Sequence, residues 1–420
     1  MNWLFIHQNF PGQYVHAARH LAAEGDQVVF ITQQREREIP GVRKIVYAPT
    51  RPNAGLHPFV YEFSAAVENG VNVARICEEL KRTGFTPDLI AGHNGWGELL
   101  YVKDCYPTVP LLGYFEFYYR AYDSDLDFDP EFLASQSDRM RIRTRNAVNL
   151  LGLETADWGQ TPTEFQRDLY PEKYRRSISV LHEGIDTSVV YPEPSTRLWL
   201  AGGLSLSRND LLITYSARNL EPYRGFHIFM RTLPELLERH PAARVLIVGG
   251  NDVSYGRRPT EDKSWREQML GELDGKLDLN RIHFLGRLNY QQYLAMLRIS
   301  SAHVYLTYPF VLSWSLLEAM AAGCAIVASR TPPVEEVIRD GENGYLVDFF
   351  DRQALADRVS DLLLHRERQQ EVRAAARQTV VEHYDLASKC LPAYLHLLRR
   401  LMRRQRQNSA PMTGAAVAEN

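Results

Sequence analysis

The chain has 420 residues, 45% of them hydrophobic and 24% charged, which excludes disordered, collagen-like and small disulfide-stapled classes. Lysine and arginine total 48 against 51 aspartates and glutamates, a net charge of −3, so no global field favours DNA or RNA as a partner. The four cysteines, Cys77, Cys105, Cys324 and Cys390, lack metal-ligand spacing and read as reduced thiols of a cytoplasmic protein.

No apolar run reaches the roughly 20 residues that span a bilayer. The opening stretch MNWLFIHQNFPGQ lacks a cationic segment and breaks at Pro11-Gly12, unlike a signal peptide. At roughly 100–200 residues per domain, the length favours two domains. In chain order, short apolar runs predict strands over 2–7, 27–32, 44–48, 88–92, 110–115 and 177–181, with a helix over 13–24 that Gly25 ends. The proline-rich stretch from His182 to Thr196 reads as a linker. Strands then resume over 211–216, 244–249, 281–285, 303–306 and 325–328, each followed by a helical pattern. Such alternation predicts two α/β doubly wound domains, whose ligands bind beyond the carboxyl ends of the strands. The cleft between the domains is the default site. The residues from 406 to 420 are small, polar and aperiodic, and are expected to form a disordered tail.

Three segments have the composition of ligand-binding loops. The first strand runs into Gly12, where backbone can approach a ligand and a helix start offers N–H groups to an anion; a plain turn explains it equally well. The first strand of the second series opens into Ser216-Ala-Arg218-Asn-Leu-Glu-Pro-Tyr-Arg224-Gly225. Guanidinium forks there would pair with phosphate oxygens, although surface arginines are the plainer reading of any such pair. A third loop, from Tyr308 through Ser313, Trp314 and Ser315, leads into a helix with one acid, Glu318, among Leu, Ala and Met. That carboxylate would accept hydrogen bonds from vicinal ribose hydroxyls, or simply face water.

These residues resemble the retaining glycosyltransferases of family four, over nearly the whole chain. The matching features are the strand–Gly12–helix start, Thr161-Pro-Thr163, His182-Glu-Gly184-Ile-Asp186, the Arg218 and Arg224-Gly225 pair, Phe284-Leu-Gly286, and LLEAMAAG ending at Gly323. The resemblance implies the B-type fold of two facing Rossmann-like domains, with a C-terminal helix crossing back to the first. The expected boundaries are 1–185 for an acceptor-side domain, 186–385 for a nucleotide-sugar domain and 386–405 for the crossing helix. It further implies that Arg218 and Arg224 bind the donor diphosphate, Arg224 standing where lysine is common. Glu318 would hold the nucleotide ribose, the Gly12 loop would face the diphosphate, and Arg287-Leu288 would lie near the base.

Two positions depart from the family pattern. Its first glutamate, which contacts the donor sugar, is replaced by Phe310, leaving that contact to Ser313, Trp314 and nearby backbone amides. A histidine that the family places after a first-domain strand corresponds to Glu116, in Leu112-Gly-Tyr-Phe115-Glu116-Phe-Tyr118-Tyr119. Among aromatic neighbours Glu116 would have a raised pKa suited to exchanging a proton with an acceptor hydroxyl; a structural carboxylate is the alternative. Tyr114, Phe115, Tyr118 and Tyr119 suit either the apolar face of a sugar or a core. His93, in His93-Asn94-Gly95-Trp96, would line the acceptor side, with Tyr118 beside it.

The alternating aspartates Asp123, Asp125, Asp127 and Asp129 look superficially like a metal site. A solvated loop that caps the next helix, paired with Arg139, Arg141, Arg143 and Arg145, is the preferred reading. No His/Cys set has zinc spacing, so structural zinc is not expected. The resemblance implies that arginines and helix dipoles compensate the diphosphate without a metal, and no cofactor is expected. The basic end of the last helix, Arg399 to Arg406, suits a helix C-terminus. Peripheral contact with the inner face of a membrane is the lesser alternative.

Together the residues predict transfer of a sugar from a nucleotide-diphosphate donor to a hydroxyl of a glycan, lipid-linked or small-molecule acceptor, in glycan or glycoconjugate biosynthesis. Loss of either Arg218 or Arg224 is expected to weaken donor binding with the fold intact. Two rivals remain: a nucleotide-sugar epimerase of the same fold, and a non-catalytic nucleotide-sugar-binding subunit suggested by Phe310.

Overall fold

A parallel strand covered on both faces must be apolar along its length, and the short runs of Trp, Leu, Phe, Ile and Val meet that demand. The computed structural model describes residues 1–52, 55–259 and 263–409. Two units emerge: Met1–Ala121 with Ala134–Glu183 and the residues from Leu391, and Tyr122–Leu133 with Gly184–Cys390.

The first unit carries seven strands: β1 (Asn2–Ile6), β2 (Gln27–Thr32), β3 (Val42–Val46), β4 (Leu89–His93), β5 (Leu111–Tyr114), β6 (Trp158–Thr161) and β7 (Ile178–Val180). All pair in parallel, in the order β3-β2-β1-β4-β5-β6-β7. Side chains of β1 alternate between two cores. Trp3 and Phe5 pack with Tyr14, Ala18 and Leu21, whereas Leu4 and Ile6 pack with Val73, Cys77 and Leu80. The helix Val15–Ala23 supplies Ala17, Ala18 and Leu21 from one face, and Gly25, at φ +86°, ends it. The C-terminal helix Leu391–Ser409 belongs to this unit because Tyr394, Leu395, Leu398 and Leu401 join the core of Phe5 and Tyr14. Its Arg400 and Arg404 lie over the Trp158 ring at 5.2 and 5.7 Å. Helical backbone runs to Ser409, through the first four residues of the stretch expected to be disordered; the remainder of that stretch lies outside the described residues.

The second unit begins with an antiparallel hairpin, β8 (Arg197–Trp199) and β9 (Ser205–Ser207). A parallel sheet follows: β10 (Leu212–Asn219), β11 (Arg244–Gly250), β12 (Ile282–Gly286), β13 (Ala302–Tyr305), β14 (Ile326–Ser329) and β15 (Tyr345–Val347). Its order is β12-β11-β10-β13-β14-β15. Each sheet therefore reverses direction once, between β1 and β4 and between β10 and β13, and the crevice at such a reversal is where ligands of this architecture bind. Residues 122–133, expected within the first domain, belong to the second unit. The Phe128 ring sits 5.1–5.3 Å from Tyr308, Phe349 and Phe350, and Phe132 packs edge-on against Trp265.

All four cysteines are buried free thiols. Among the described residues no helix is long and apolar enough to cross a membrane.

Burial also dictates a response to acid. His303 is fully buried, with Nδ1 2.8 Å from the Thr214 hydroxyl, and desolvation holds its pKa at about 3. An unfolded histidine takes its proton near pH 6.5, so the unfolded chain binds more protons throughout the window between about 6.5 and 3. Stability consequently falls as pH falls through that window, by up to about 1.4 kcal/mol per pH unit. His303→Leu is expected to flatten the dependence of Tm on pH between 6 and 4; an unaltered slope would contradict this assignment.

Candidate active site

At the β10/β13 reversal, β10 shifts register between Ser216 and Asn219 and carries Arg218 out to solvent. The Arg218 side chain makes no hydrogen bond or ion pair to any described residue. The chain then turns through Pro222–Arg224 into the helix Phe226–Arg239. Gly225 makes that turn at φ +68°, and a Cβ there would lie 2.3 Å from Leu306 Cβ, so no larger residue fits. Arg224, by contrast, is buried. Its Nη1 donates to Thr307 Oγ1 at 2.8 Å and to the Val311 carbonyl at 3.0 Å, with the Tyr305 hydroxyl at 3.4 Å. The rings of Tyr255 and Phe310 lie 5.4 and 6.0 Å from its guanidinium.

Phe310 is almost wholly covered, packed against Tyr255 and Tyr223. Ser313 is the N-cap of the helix Trp314–Ala321: its hydroxyl accepts from the Ser315 N–H and bonds the Ser315 hydroxyl at 2.9 Å. Its backbone N–H donates to Tyr305, linking it to the group that meets Arg224. Trp314 is exposed at the first position of that helix. Glu318 lies one turn further on and accepts from the Tyr290 hydroxyl at 2.8 Å. Burial raises its pKa, and the Tyr290 bond offsets part of that rise. The hydroxyls of Ser216 and Tyr293 are buried beside one another and beside Glu318. Arg287, just past β12, donates to Asn219 at 3.1 Å and to Asp252 at 3.2 Å. Leu288 packs on the core. The second unit thus gathers Arg218, Arg224, Arg287, Ser313, Trp314 and Glu318 at the carboxyl ends of its strands.

In the first unit, the reversal between β1 and β4 brings His7 and His93 together, their rings 4.8 Å apart. Each Nδ1 accepts a backbone N–H, from Asn9 at 2.9 Å and from Gly95 at 3.0 Å. That assigns the ring proton of each neutral imidazole to Nε2. In His7 it points to Gln13 Oε1 at 2.6 Å, and in His93 it faces the Glu116 carboxylate at 3.7 Å. Trp96 stacks on His93 at 4.1 Å. Desolvation, then repulsion from His93, lowers the His7 pKa well below its usual value. Gly12 lies directly against His7: at φ +52°, a Cβ there would sit 2.7 Å from the imidazole. Tyr118 is half-buried, 5.3 Å from Tyr170. Sequence reading placed Gly12, His93, Glu116 and Tyr118 but gave His7 no role. Its signal, a histidine directly after the first strand, acquires meaning only once the strand order makes β4 its neighbour.

The acidic loop, expected to be solvated, is instead partly buried. Ser124, Asp125 and Asp129 are covered, and Asp123 and Asp127 adopt left-handed backbone at φ 52° and 61°, which aspartate tolerates better than most residues. Asp125 accepts from the Tyr223 hydroxyl at 2.9 Å, and Asp129 accepts from the Tyr308 hydroxyl at 2.6 Å and His227 Nε2 at 2.9 Å. Arg141 and Arg145 pair with Glu62. Asp129 does cap the helical turn that follows, Pro130–Phe132, by accepting the Glu131 N–H at 2.9 Å, and Ser135 caps the longer helix Gln136–Arg145 after it. Asp129, Glu131 and His227 have ligand atoms within 4.8 Å of one another. Asp129 already accepts three donors, from His227, Tyr308 and the Glu131 backbone N–H, and Glu131 forms a forked pair with Arg231, so the geometry is that of a protein-satisfied cluster.

Two family descriptions match the chain: the glycosyl transferase family 4 group over residues 24–190 and the glycosyl transferases group 1 over residues 205–379. The D-inositol 3-phosphate glycosyltransferase of Acidothermus cellulolyticus is 26% identical over 387 residues, covering 88% of this chain and 81% of that enzyme. The phosphatidyl-myo-inositol mannosyltransferase of Mycobacterium leprae is 33% identical over 205 residues, 46% of this chain and 48% of that protein. Among solved structures, the sucrose-phosphate synthase of Thermosynechococcus elongatus superposes with a TM-score of 0.70 at 17% identity, covering 96% of this chain and all of that one. Anabaena HepE in complex with UDP-glucose gives 0.66 at 15% identity, covering 97% of this chain and 100% of that one. At these identities the structural likeness establishes the fold.

Proposed function

Because the chain belongs to the group 1 glycosyltransferases and has their two-domain B-type fold, we propose that this sugar-transferring enzyme draws on a nucleotide-diphosphate sugar and retains configuration at the anomeric carbon. The observation that carries the donor assignment is the contrast between the two arginines at the β10/β13 reversal. Arg224 is anchored in the protein, while Arg218 stands exposed and unengaged by any described residue. An exposed, unpaired guanidinium beside a buried one is a preorganised place for diphosphate charge, stabilised further by nearby helix starts. The UDP and UDP-glucose bound by Anabaena HepE support a donor of this class.

In this reading the C1–O bond to the diphosphate breaks with its electron pair on the leaving phosphate oxygen, where Arg218 and Arg224 stabilise it. The acceptor hydroxyl bonds to C1 on the same face and passes its proton to Glu116, which His93 faces. Glu318 and the buried Ser216 and Tyr293 hydroxyls serve the nucleotide ribose. Acceptors are hydroxyl-rich glycans, lipid-linked sugars or small polyols, a class that includes the inositol acceptors in the relatives' names. Calorimetric titration with UDP and GDP, followed by turnover on the matching sugar nucleotides, tests the assignment.

Glu318→Ala is expected to weaken UDP and UDP-sugar binding by similar factors, about 1.5–3 kcal/mol for lost hydrogen bonds to a charged group. An unchanged constant for both would move the ribose elsewhere. Since protein cations supply the positive charge, chelation with EDTA is expected to leave nucleotide binding and turnover unaltered. Activity lost to EDTA and restored by Mn²⁺ would contradict the arginine-based account.

A further inference from the structure

Residues 122–133 leave the first unit's sequence and insert into the second, directly beneath the residues assigned above to the donor diphosphate. Their two inward carboxylates reach two tyrosines that flank the arginine turn. Tyr223 precedes Arg224 and donates to Asp125; Tyr308 lies two residues before Phe310 and donates to Asp129. The two tyrosines are themselves joined, by a Tyr308 N–H to Tyr223 carbonyl bond of 3.0 Å and by rings 4.6 Å apart. Tyr223 meets Phe310 edge-on at 5.4 Å, and Tyr255 closes the enclosure at 4.9 Å from Phe310. Glu221 holds Tyr255 in place by accepting the backbone N–H groups of Ser254, Tyr255 and Gly256. Phe310 and Tyr255 thus lie against the Arg224 guanidinium, and Tyr223, bonded by the acidic segment and packed beside Tyr308, backs Phe310 from behind.

We propose that Tyr122–Leu133 is a strap that positions the donor-diphosphate site, with Asp125 and Asp129 as positioning residues acting through Tyr223 and Tyr308 on Arg224. The proposal rests on the donor assignment made above. A carboxylate that accepts phenolic and imidazole protons in a covered setting fixes ring orientation more firmly than packing alone, because charge-assisted bonds are short and directional. The alternation of aspartates has a physical reason in this arrangement. Asp123 and Asp127 make the left-handed turns, and Asp125 and Asp129 face inward between them. The strap follows Glu116 through residues 117–121, so the segment that carries the proposed proton acceptor continues directly into the element that orders the donor site.

The test uses the full chain with UDP and GDP as probes, reading dissociation constants by calorimetry, Tm, and amide exchange over residues 223–226. Tyr223→Phe and Tyr308→Phe keep the rings and remove only the hydroxyls, and Asp129→Asn keeps the shape. Each is expected to weaken nucleotide binding at least fivefold and to speed exchange at Tyr223–Arg224. Glu131→Gln, on the same strap but paired with Arg231 at the surface, is expected to keep the wild-type constant. Wild-type affinity and exchange in both tyrosine variants would overturn the proposal, as would an equal loss in Glu131→Gln, which would reduce the strap to general docking. Wild-type protein that binds neither nucleotide would overturn the donor assignment itself, a failure the exchange measurement separates from that of the strap.

Discussion

Arg218→Ala is expected to weaken UDP binding by roughly tenfold to a hundredfold while leaving Tm within about 1 °C of wild type. The side chain is exposed and engages no described residue, so its removal breaks nothing in the fold, and surface substitutions of that kind usually fall within about 0.5 kcal/mol. A charge-assisted hydrogen bond to phosphate contributes about 1.5–3 kcal/mol, and each 1.4 kcal/mol is a factor of about ten in affinity. Arg218→Lys should recover only part of the loss, because an ammonium offers charge without the planar fork. Calorimetry and a thermal melt on the same preparations check both halves of the expectation. Unchanged affinity would place the diphosphate away from this strand end.

Arg224→Ala should behave differently, and here the structure corrects the expectation that either arginine can be removed with the fold intact. The Arg224 guanidinium holds the Thr307 hydroxyl and the Val311 carbonyl and fills the space beside Tyr255 and Phe310. Truncation leaves buried acceptors unpaired and a void behind them, a combination that costs about 2–5 kcal/mol. For a unit of this size that corresponds to a fall in Tm of roughly 5–15 °C. Nucleotide affinity should fall as well. Arg224→Lys retains the charge and part of the packing, so it should melt closer to wild type while still binding more weakly. A normal Tm in Arg224→Ala would mean that the buried bonds contribute little.

The sheets were largely legible because parallel strands advertise themselves as continuous apolar runs. The run at 27–32 has the observed bounds of β2, and the second series is placed within a few residues throughout. The strands that escaped lack that signature. In β6, Trp158-Gly-Gln-Thr161, a buried glutamine donates to the Leu181 carbonyl, so its burial follows from a bond made elsewhere in the fold. β15 has only three residues, and the β8–β9 hairpin follows the proline-rich linker. At the candidate site, the loops that carry Arg218, Arg224, Ser313 and Glu318 were legible because glycine turns and helix starts mark loops locally. The acidic strap was not. Its burial depends on Tyr223, His227 and Tyr308, roughly a hundred or more residues away, and alternating aspartates read in isolation as a solvent-facing loop. The His7–His93 pair escaped for the same reason, since its two members meet only through the β1/β4 neighbourhood.

The most direct test is a crystal structure of the full chain with bound UDP. The diphosphate oxygens should lie within hydrogen-bond distance of the Arg218 and Arg224 guanidinium groups, with the ribose hydroxyls on the Glu318 carboxylate. Nucleotide density at the β1/β4 reversal beside His7 and His93, with Arg218 still unengaged, would contradict the account.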